Sequence, residues 1–255
     1  MSVKKYDELS KRMKSYESSS KVRLTPRMPI IIRIDGCHFH TYTKGFEKPF
    51  DEMLIRVFWE TCKYLAENIM GCKMVYHQSD EISLLITNYD KLTTQSWFDN
   101  ELQKMVSVSA SLATAKFNEE MRKINPNINR LATFDSRAFI MPLSEVTNYF
   151  VWRQQDASKN SVSMLAQSLF PHNELQGLSG KVMQDKMFTE KNVNWNDLST
   201  WKKRGATIIK EKYNIGEVQR TRWIVDEDMP IITQDRDYVD NLFMPEAIVE
   251  NLSES

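Results

Sequence analysis

The chain has 255 residues, 41% of them hydrophobic, and no net formal charge, so it can bury one sizeable core with room for an extension. No run of about 18 apolar residues occurs, and the charged first 14 residues contain no apolar h-region, so neither a membrane span nor a secretory leader is expected. The three cysteines, Cys37, Cys62 and Cys72, are odd in number and form no Cys-x-x-Cys pair, which argues against a disulfide scaffold or zinc knuckle and fits a reducing cytoplasm.

In chain order, Leu9, Met13 and Tyr16 recur at helical spacing, predicting a helix over residues 1–20. Pro29-Ile30-Ile31-Ile32-Arg33-Ile34 reads as a buried strand ended by Asp35-Gly36. Asp51 is a plausible N-cap for a helix carrying Leu54, Phe58, Cys62, Leu65 and Ile69 on one face, and Gly71 stops it. Residues 73–77 and 82–87 read as a β-hairpin with Gln78-Ser79-Asp80-Glu81 at its tip. A long helix is expected over 97–121, with the small run Ser107-Val108-Ser109-Ala110-Ser111 inviting close packing. A strand over 133–141 ends at Pro142, and Ser144 caps a helix reaching about Leu169. The order strand, helix, hairpin, helix, strand is βαββαβ, a ferredoxin-like, palm-like α+β core over residues 1–143. Residues 144–255 are expected to form a largely helical, basic, RNA-facing extension packed as one unit with the core. Within it, residues 181–222 carry a net charge of +5 and residues 223–255 a net charge of −8, which is compatible with a phosphate-binding face beside an acidic tail, although charge alone favours a solvated surface with a flexible tail.

Phosphoryl transfer needs cations that neutralise phosphates and align the attacking and leaving oxygens. Mg²⁺ takes hard oxygen ligands and keeps several waters, so one or two carboxylates can hold it. In a βαββαβ sheet the first strand lies beside the central hairpin, so Asp35 and the tip residues Asp80 and Glu81 can meet. Alternation sends Asp80 and Glu81 to opposite sides. Asp80 is chosen as the metal ligand, with Glu81 in a secondary catalytic or orienting role. Gly36 lets the backbone approach a phosphate or offer its carbonyl to a metal. By spacing alone, Asp-Gly and Ser-Asp-Glu are also ordinary turns.

Several segments resemble the tRNA-histidine guanylyltransferase family: Ile32-Arg33-Ile34-Asp35-Gly36 followed by Phe39-His40, Gly45-Phe46-Glu47-Lys48-Pro49-Phe50-Asp51, Gln78-Ser79-Asp80-Glu81-Ile82-Ser83, Phe134-Asp135-Ser136-Arg137 and Trp152-Arg153-Gln154-Gln155-Asp156. They occur in order over roughly residues 5–210. The resemblance implies a palm-like enzyme that runs polymerisation 3′ to 5′. An RNA 5′-monophosphate is activated with ATP or GTP, and the 3′-hydroxyl of an incoming nucleotide then attacks it. It further implies that Asp35, Asp80 and the Gly36 carbonyl hold two Mg²⁺ ions with Glu81 beside them. Lys48, Asp51, Ser79 and Lys104 then lie around the nucleotide triphosphates, and the loop Cys37-His38-Phe39-His40 lies near the phosphates. Arg153, Asn160, Lys186 and Asn194 are expected to contact RNA, as are Lys202-Lys203-Arg204 by charge. A cytoplasmic homotetramer, a dimer of dimers acting on tRNA, is expected by resemblance only.

Eukaryotic members carry His-x-Asn-Asn-x-Tyr where this chain has Ser158-Lys159-Asn160-Ser161-Val162-Ser163. Only Asn160 remains, which resembles the bacterial and archaeal like-protein branch and implies templated 5′-end repair of truncated tRNAs over non-templated guanylate addition to tRNA-histidine. Cys37 and His38 also depart from the family loop. His77 and His172 read as structural or surface residues, and the six tryptophans as core, with Trp152 and Trp195 open as base-stacking platforms. The rival readings are a palm-type nucleotide cyclase using the same two aspartates and an RNA-binding module without catalysis.

Overall fold

The structure is a computed structural model that describes residues 3–216 and 218–244; the end of the acidic tail, residues 245–255, lies outside the described residues. Helix α1 (Val3–Ser19) precedes the core. The core then runs β1 (Ile30–Gly36), the short α2 (Phe39–Tyr42), α3 (Glu52–Asn68), β2 (Cys72–Gln78), β3 (Glu81–Ile86), α4 (Leu102–Ile124) and β4 (Phe134–Ile140). The remainder comprises α5 (Leu143–Leu169), α6 (His172–Leu175), α7 (Gly180–Lys191), α8 (Thr200–Arg204), β5 (Ala206–Ile215), β6 (Val218–Asp226) and α9 (Asp237–Phe243).

One antiparallel sheet runs in the order β4-β1-β3-β2-β5-β6. Its first four strands have the ferredoxin-like arrangement, with β1 central between β3 and β4. The extension is largely helical, but it also supplies β5 and β6, and β5 pairs with β2 over Met74↔Ile209 to His77↔Ala206. That hairpin carries alternation in its sequence, Lys210 and Lys212 against Glu211 and Tyr213, and turns at Gly216. The alternation is the signal that a helical reading of the extension passes over.

Alternation along β1 assigns its two faces. Ile30, Ile32 and Ile34 belong to a core with Val57, Phe58 and Leu65 of α3 and Met105, Ala113 and Phe117 of α4. Ile31 belongs to the other core, with Tyr149 and Phe150 of α5 and Val239 and Phe243 of α9. The sheet is therefore covered on both faces, which is why β2 and β3 read as near-continuous apolar runs. The C-terminal half of α5 leaves the sheet and packs Val162, Leu165 and Ala166 against Leu175 and Met187 in a satellite core. No helix among the described residues is long and apolar enough to cross a membrane.

Two local departures have clear causes. The helix expected from Trp97 begins only at Leu102, because Phe98, Asp99 and Asn100 turn left-handed (φ 49°, 52° and 57°). Buried amides hold that turn: Asn88 Nδ2 donates to Ser96 Oγ, and Asn100 Nδ2 donates to the Leu24 carbonyl. Helix α5 starts at Leu143 with Pro142, not Ser144, in the cap position. The small run in α4 does admit close packing: Ser109 and Ser136 hydroxyls meet at 2.8 Å across the helix–sheet contact.

Candidate functional site

The sheet ends in a two-residue turn, Ser79-Asp80, between the register partners Gln78 and Glu81. Ser79 takes the left-handed conformation (φ 54°) that so tight a turn requires. Asp35 occupies the matching end of β1, in register with Glu81 on one side and Asp135 on the other. The Gly36 N–H donates to the Asp80 carbonyl at 3.1 Å, fastening the end of β1 to the hairpin tip. The two acidic segments are thus adjacent, and Asp80 feels it: burial, and behind it the negative charge of Asp35, raise its carboxyl above the ordinary carboxylate range. Ser79 Oγ donates to Asp80 Oδ1 at 3.1 Å and opposes that rise.

Asp80 and Glu81, adjacent in sequence, have different surroundings. Glu81 points toward α5 and is 5% exposed. Arg153 Nε and Nη2 donate to its two oxygens at 2.7 and 2.8 Å, and Arg33 Nε lies 3.5 Å away. Ser83, two residues on, joins its hydroxyl to that of Tyr149 on α5 at 2.8 Å. Burial pushes the Glu81 carboxyl up while the two guanidiniums oppose it, and the fork-to-fork geometry keeps the pair ionic. Glu81 is therefore an anchored residue behind Asp35, linked to it through Arg33, whose Nη2 is 3.8 Å from Asp35 Oδ2. Arg153, expected on RNA, is 4% exposed and bonds Glu81 and Asp156 instead.

On the other side of the tip, Asp80 lines a cavity of about 500 Å³. Phe50, Trp59 and Trp201 give it aromatic walls, and Lys48, Asn160 and Lys202 bring polar groups. Such a cavity matches a nucleotide in volume and in its mixture of apolar wall and few polar groups. His40, Asp51 and Ser79 also line it, so most of the expected nucleotide-binding set converges here. Asp51 uses both oxygens locally, accepting from Leu54 N at 2.9 Å as the N-cap of α3 and from Glu47 N at 3.0 Å. His77 stacks on Phe58 at 4.6 Å, with Nε2 3.0 Å from the Ser79 carbonyl, and burial lowers its pKa to about 4. It supports the turn from beneath.

Gly36 and Phe39 have a packing explanation that the sequence does not reveal. A Cβ on Gly36 would stand 2.2 Å from the Phe39 ring. That ring is buried among Tyr42, Phe58, Phe117 and Phe134, with centroids 5.0 to 5.5 Å away. Phe39 thus ties α2 to the core and reaches the cavity only at its wall. Cys37 places Sγ 3.9 Å from Asp135 Oδ2, and His38 is an exposed left-handed residue (φ 53°) opening α2.

Lys104 is not brought to this site. It lies in the first turn of α4, 3.8 Å from Glu101, beside Lys21 and Arg23 in a surface depression. The Arg23 backbone forms an isolated antiparallel β-bridge with Glu101 and Leu24 N donates to Asn100 O, at the end of the sheet where β1 begins. Five strand residues, about 17 Å, separate that end from Asp35. Of the other expected RNA contacts, Lys186 is held by Glu174 and Glu190 at 3.1 and 2.8 Å, and Asn194 caps a short turn by accepting from Asn196 N. Lys202 pairs with Glu52 at 3.0 Å, Lys203 donates to the Asn196 carbonyl, and the Arg204 carbonyl accepts from Tyr76 OH. The departing segment sits on α5, where the Ser161 hydroxyl donates to the Lys202 carbonyl at 2.6 Å and accepts from Trp195 Nε1 at 2.9 Å, closing one side of the cavity.

The donor set at the tip fits a hard divalent cation. It offers carboxylate oxygens, and one carboxylate is penalised as an anion by burial and by its neighbour, a penalty that a cation relieves. Among the described residues no group of three or more His, Cys, Asp or Glu forms a closed cage, so an ion held here would keep water and phosphate ligands.

Comparison with known proteins agrees with this geometry. A family model described as tRNAHis guanylyltransferase matches residues 10–142. A tRNA(His) guanylyltransferase of Eremothecium gossypii is 30% identical over 206 residues, covering 74% of this chain and 85% of its own length. The Debaryomyces hansenii tRNA(His) guanylyltransferase is 29% identical over 205 residues, covering 74% and 76%. A solved bacterial tRNA(His) guanylyltransferase-like protein in complex with ATP superposes with TM-score 0.87 at 64% identity, covering 92% of this chain and 99% of the other. The Saccharomyces cerevisiae tRNA(His) guanylyltransferase, at 23% identity and TM-score 0.67, shares the fold.

Proposed function

The chain belongs to the tRNAHis guanylyltransferase family, and on that premise we propose that it adds nucleotides to the 5′ end of tRNA in the 3′-to-5′ direction, repairing truncated 5′ ends against a template. The observation that carries this reading is the adjacency of Asp35 to Asp80, which itself lines a nucleotide-sized cavity. The relatives solved with ATP and with GTP support nucleoside triphosphates as its co-substrates.

In this proposal an RNA 5′-monophosphate attacks the α-phosphate of ATP or GTP, releasing pyrophosphate and leaving the RNA end capped by a nucleoside monophosphate. The 3′-hydroxyl of an incoming nucleoside triphosphate then attacks the RNA's 5′-phosphate. The new phosphodiester forms there, the activating nucleotide leaves as its monophosphate, and the hydroxyl proton passes to solvent. Mg²⁺ held by Asp35, Asp80 and the Gly36 carbonyl would neutralise phosphate charge and lower the pKa of the attacking hydroxyl. Lys48 and Lys202 supply point charges to phosphate oxygens, and Phe50, Trp59 and Trp201 exclude water from the base. Glu81, clamped by Arg153 and Arg33, fixes the strand end from which Asp35 projects. Templated repair in place of non-templated guanylate addition is supported by the Ser158–Ser163 segment, which lacks the family's histidine and tyrosine. The active form is proposed to be a cytoplasmic homotetramer, to be checked by light scattering on the purified protein.

The test is a 5′-extension assay over a panel of truncated tRNAs with each nucleoside triphosphate. Extension that stops when the 5′ strand is fully paired supports repair. Equal rates of guanylate addition to full-length tRNA-histidine would overturn the repair assignment. A cyclic nucleotide formed from triphosphate without RNA would overturn the polymerase reading itself.

A further inference from the structure

The α5-facing side of the sheet carries a charge pattern that the cavity does not use. Asp135, Asp35 and Glu81 form one cross-strand row, and Arg137, Arg33 and Ser83 form the next. Residues paired this way share a face, and Arg153 and Tyr149 identify it as the α5 side. Arg33 and Arg137 thus stand directly opposite each other, a like-charge pairing offset by Asp35 and Glu81 on one side and Asp135 on the other. Each has only part of its donors occupied. Arg137 Nη2 donates to Asp135 Oδ1 at 3.0 Å while the side chain remains 51% exposed. Arg33 Nε has no hydrogen-bond partner among the described residues, although it lies 3.5 Å from Glu81.

On α5, which covers this face, stands Trp152. It is 50% exposed, although it belongs to a helix whose neighbouring Tyr149 and Arg153 are buried. Its ring is held in place: the Arg153 guanidinium lies 4.3 Å from its centroid, and the Tyr149 ring centroid lies 5.8 Å away in a T-shaped arrangement. Arg153 is fixed in turn by Glu81, the register partner of Asp35. Tyr149 is fixed by Ser83, the register partner of Arg33, and packs 5.9 Å from Phe139, two residues along β4 from Arg137. The indole is thereby tied, through Arg153 and Tyr149, to the register partners of Asp35 and Arg33 on the α5 side of the sheet. An exposed aromatic held by its neighbours, on the sheet face that carries Arg33 and Arg137, is a combination that seats an unpaired nucleotide, with the base stacked and the phosphate forked.

We propose that Trp152, Arg137 and Arg33 seat the unpaired 5′-terminal nucleotide of the RNA, on the α5-facing side of the sheet that also carries Asp35. The inference rests on the polymerase reading above. RNA is favoured over a free nucleotide here because the cavity beside Asp80 encloses a small ligand, whereas this face is open, with Trp152, Asp135 and Arg137 all exposed. A polymer end needs a surface from which the rest of the chain can leave. Asp35 belongs to this face and is adjacent to Asp80 of the cavity, so an RNA phosphate seated here can meet a triphosphate seated there.

The test measures affinity of the full chain for a truncated tRNA bearing a 5′-monophosphate, for the same RNA with a 5′-hydroxyl, and for ATP, in wild type, Trp152→Ala, Trp152→Phe and Arg137→Gln. Trp152→Ala should weaken both RNAs about tenfold, and Trp152→Phe should restore most of that. Arg137→Gln should abolish the preference for the 5′-phosphate. ATP affinity and melting temperature should hold in all of them. Wild-type RNA affinity in both Trp152→Ala and Arg137→Gln would overturn the inference while leaving the polymerase reading intact. Loss of ATP affinity equal to that of RNA would assign the patch to free nucleotide and overturn it as well. A wild-type protein that binds and extends no RNA would overturn both.

Discussion

The two faces of β1 show how one strand serves two ends. Toward α3 and α4 it presents Ile30, Ile32 and Ile34 to an apolar cluster with no charged side chain among its members. Toward α5 it presents Ile31, then Arg33, then Asp35, so that polarity rises toward the hairpin tip. The first face stabilises by burial, about 25 cal/mol per Å² of apolar surface. The second keeps charge at the sheet end only because each buried charge is paired: Glu81 with Arg153 and Arg33, and Arg153 with Asp156. Chemistry is concentrated where the strand ends emerge, and the opposite end of the sheet, with Lys104, is closed by a left-handed turn and buried amides.

The sharpest way to separate the faces is to remove charge from the tip without touching packing. Asp80→Asn should lower 5′-extension by at least about a hundredfold, the scale on which one electrostatic partner of a transition state reads out. Its melting temperature should match or slightly exceed wild type, because Asp35 loses a repulsive neighbour. A large fall in melting temperature would make the tip a stability element instead.

The buried pair behind the tip should respond the other way. Arg153→Met strands Glu81 without its bidentate partner, and breaking one side of such a pair costs about 3–5 kcal/mol. Urea unfolding should show that loss, and Arg153→Met combined with Glu81→Gln should recover part of it. A double variant no better than the single one would mean the pair is not coupled.

On the apolar face, His77 supplies a pH signature. Its folded pKa of about 4 lies below the ordinary value of 6.5 because burial disfavours the charged ring. Between those values the unfolded chain binds a proton that the native chain does not. Stability is therefore full above about pH 6.5 and declines as pH falls toward 4, by at most about 3 kcal/mol. Denaturant titrations across that range should show the decline, and His77→Phe should flatten it. An unchanged slope in the variant would exclude His77 as the cause.

The smallest expected effect joins the two faces. Gly36→Ala forces the Phe39 ring to move, an overpacking cost of about 1–3 kcal/mol. It should lower melting temperature and extension together, whereas a loss of extension alone would give Gly36 a role through its backbone.

The amino-acid sequence by itself determined the βαββαβ order, the N-cap at Asp51 and the placement of Asp35 and Asp80 at strand ends, because hydrophobic period, turn residues and caps are local. The divergence of Asp80 from Glu81 comes instead from the turn: Glu81 opens β3 as the register partner of Asp35, whereas Asp80 belongs to the two-residue turn before it. Only the tertiary structure decided which carboxylate is clamped, since the partners of Glu81 come from β1 and from a helix 72 residues away. It also decided that Lys104 lies at the far end of the sheet, that Arg153 is buried, and that β5 and β6 continue the sheet of the core. Each of these depends on contacts between segments distant in the chain, and local propensity carries no information about which distant segment a side chain will meet.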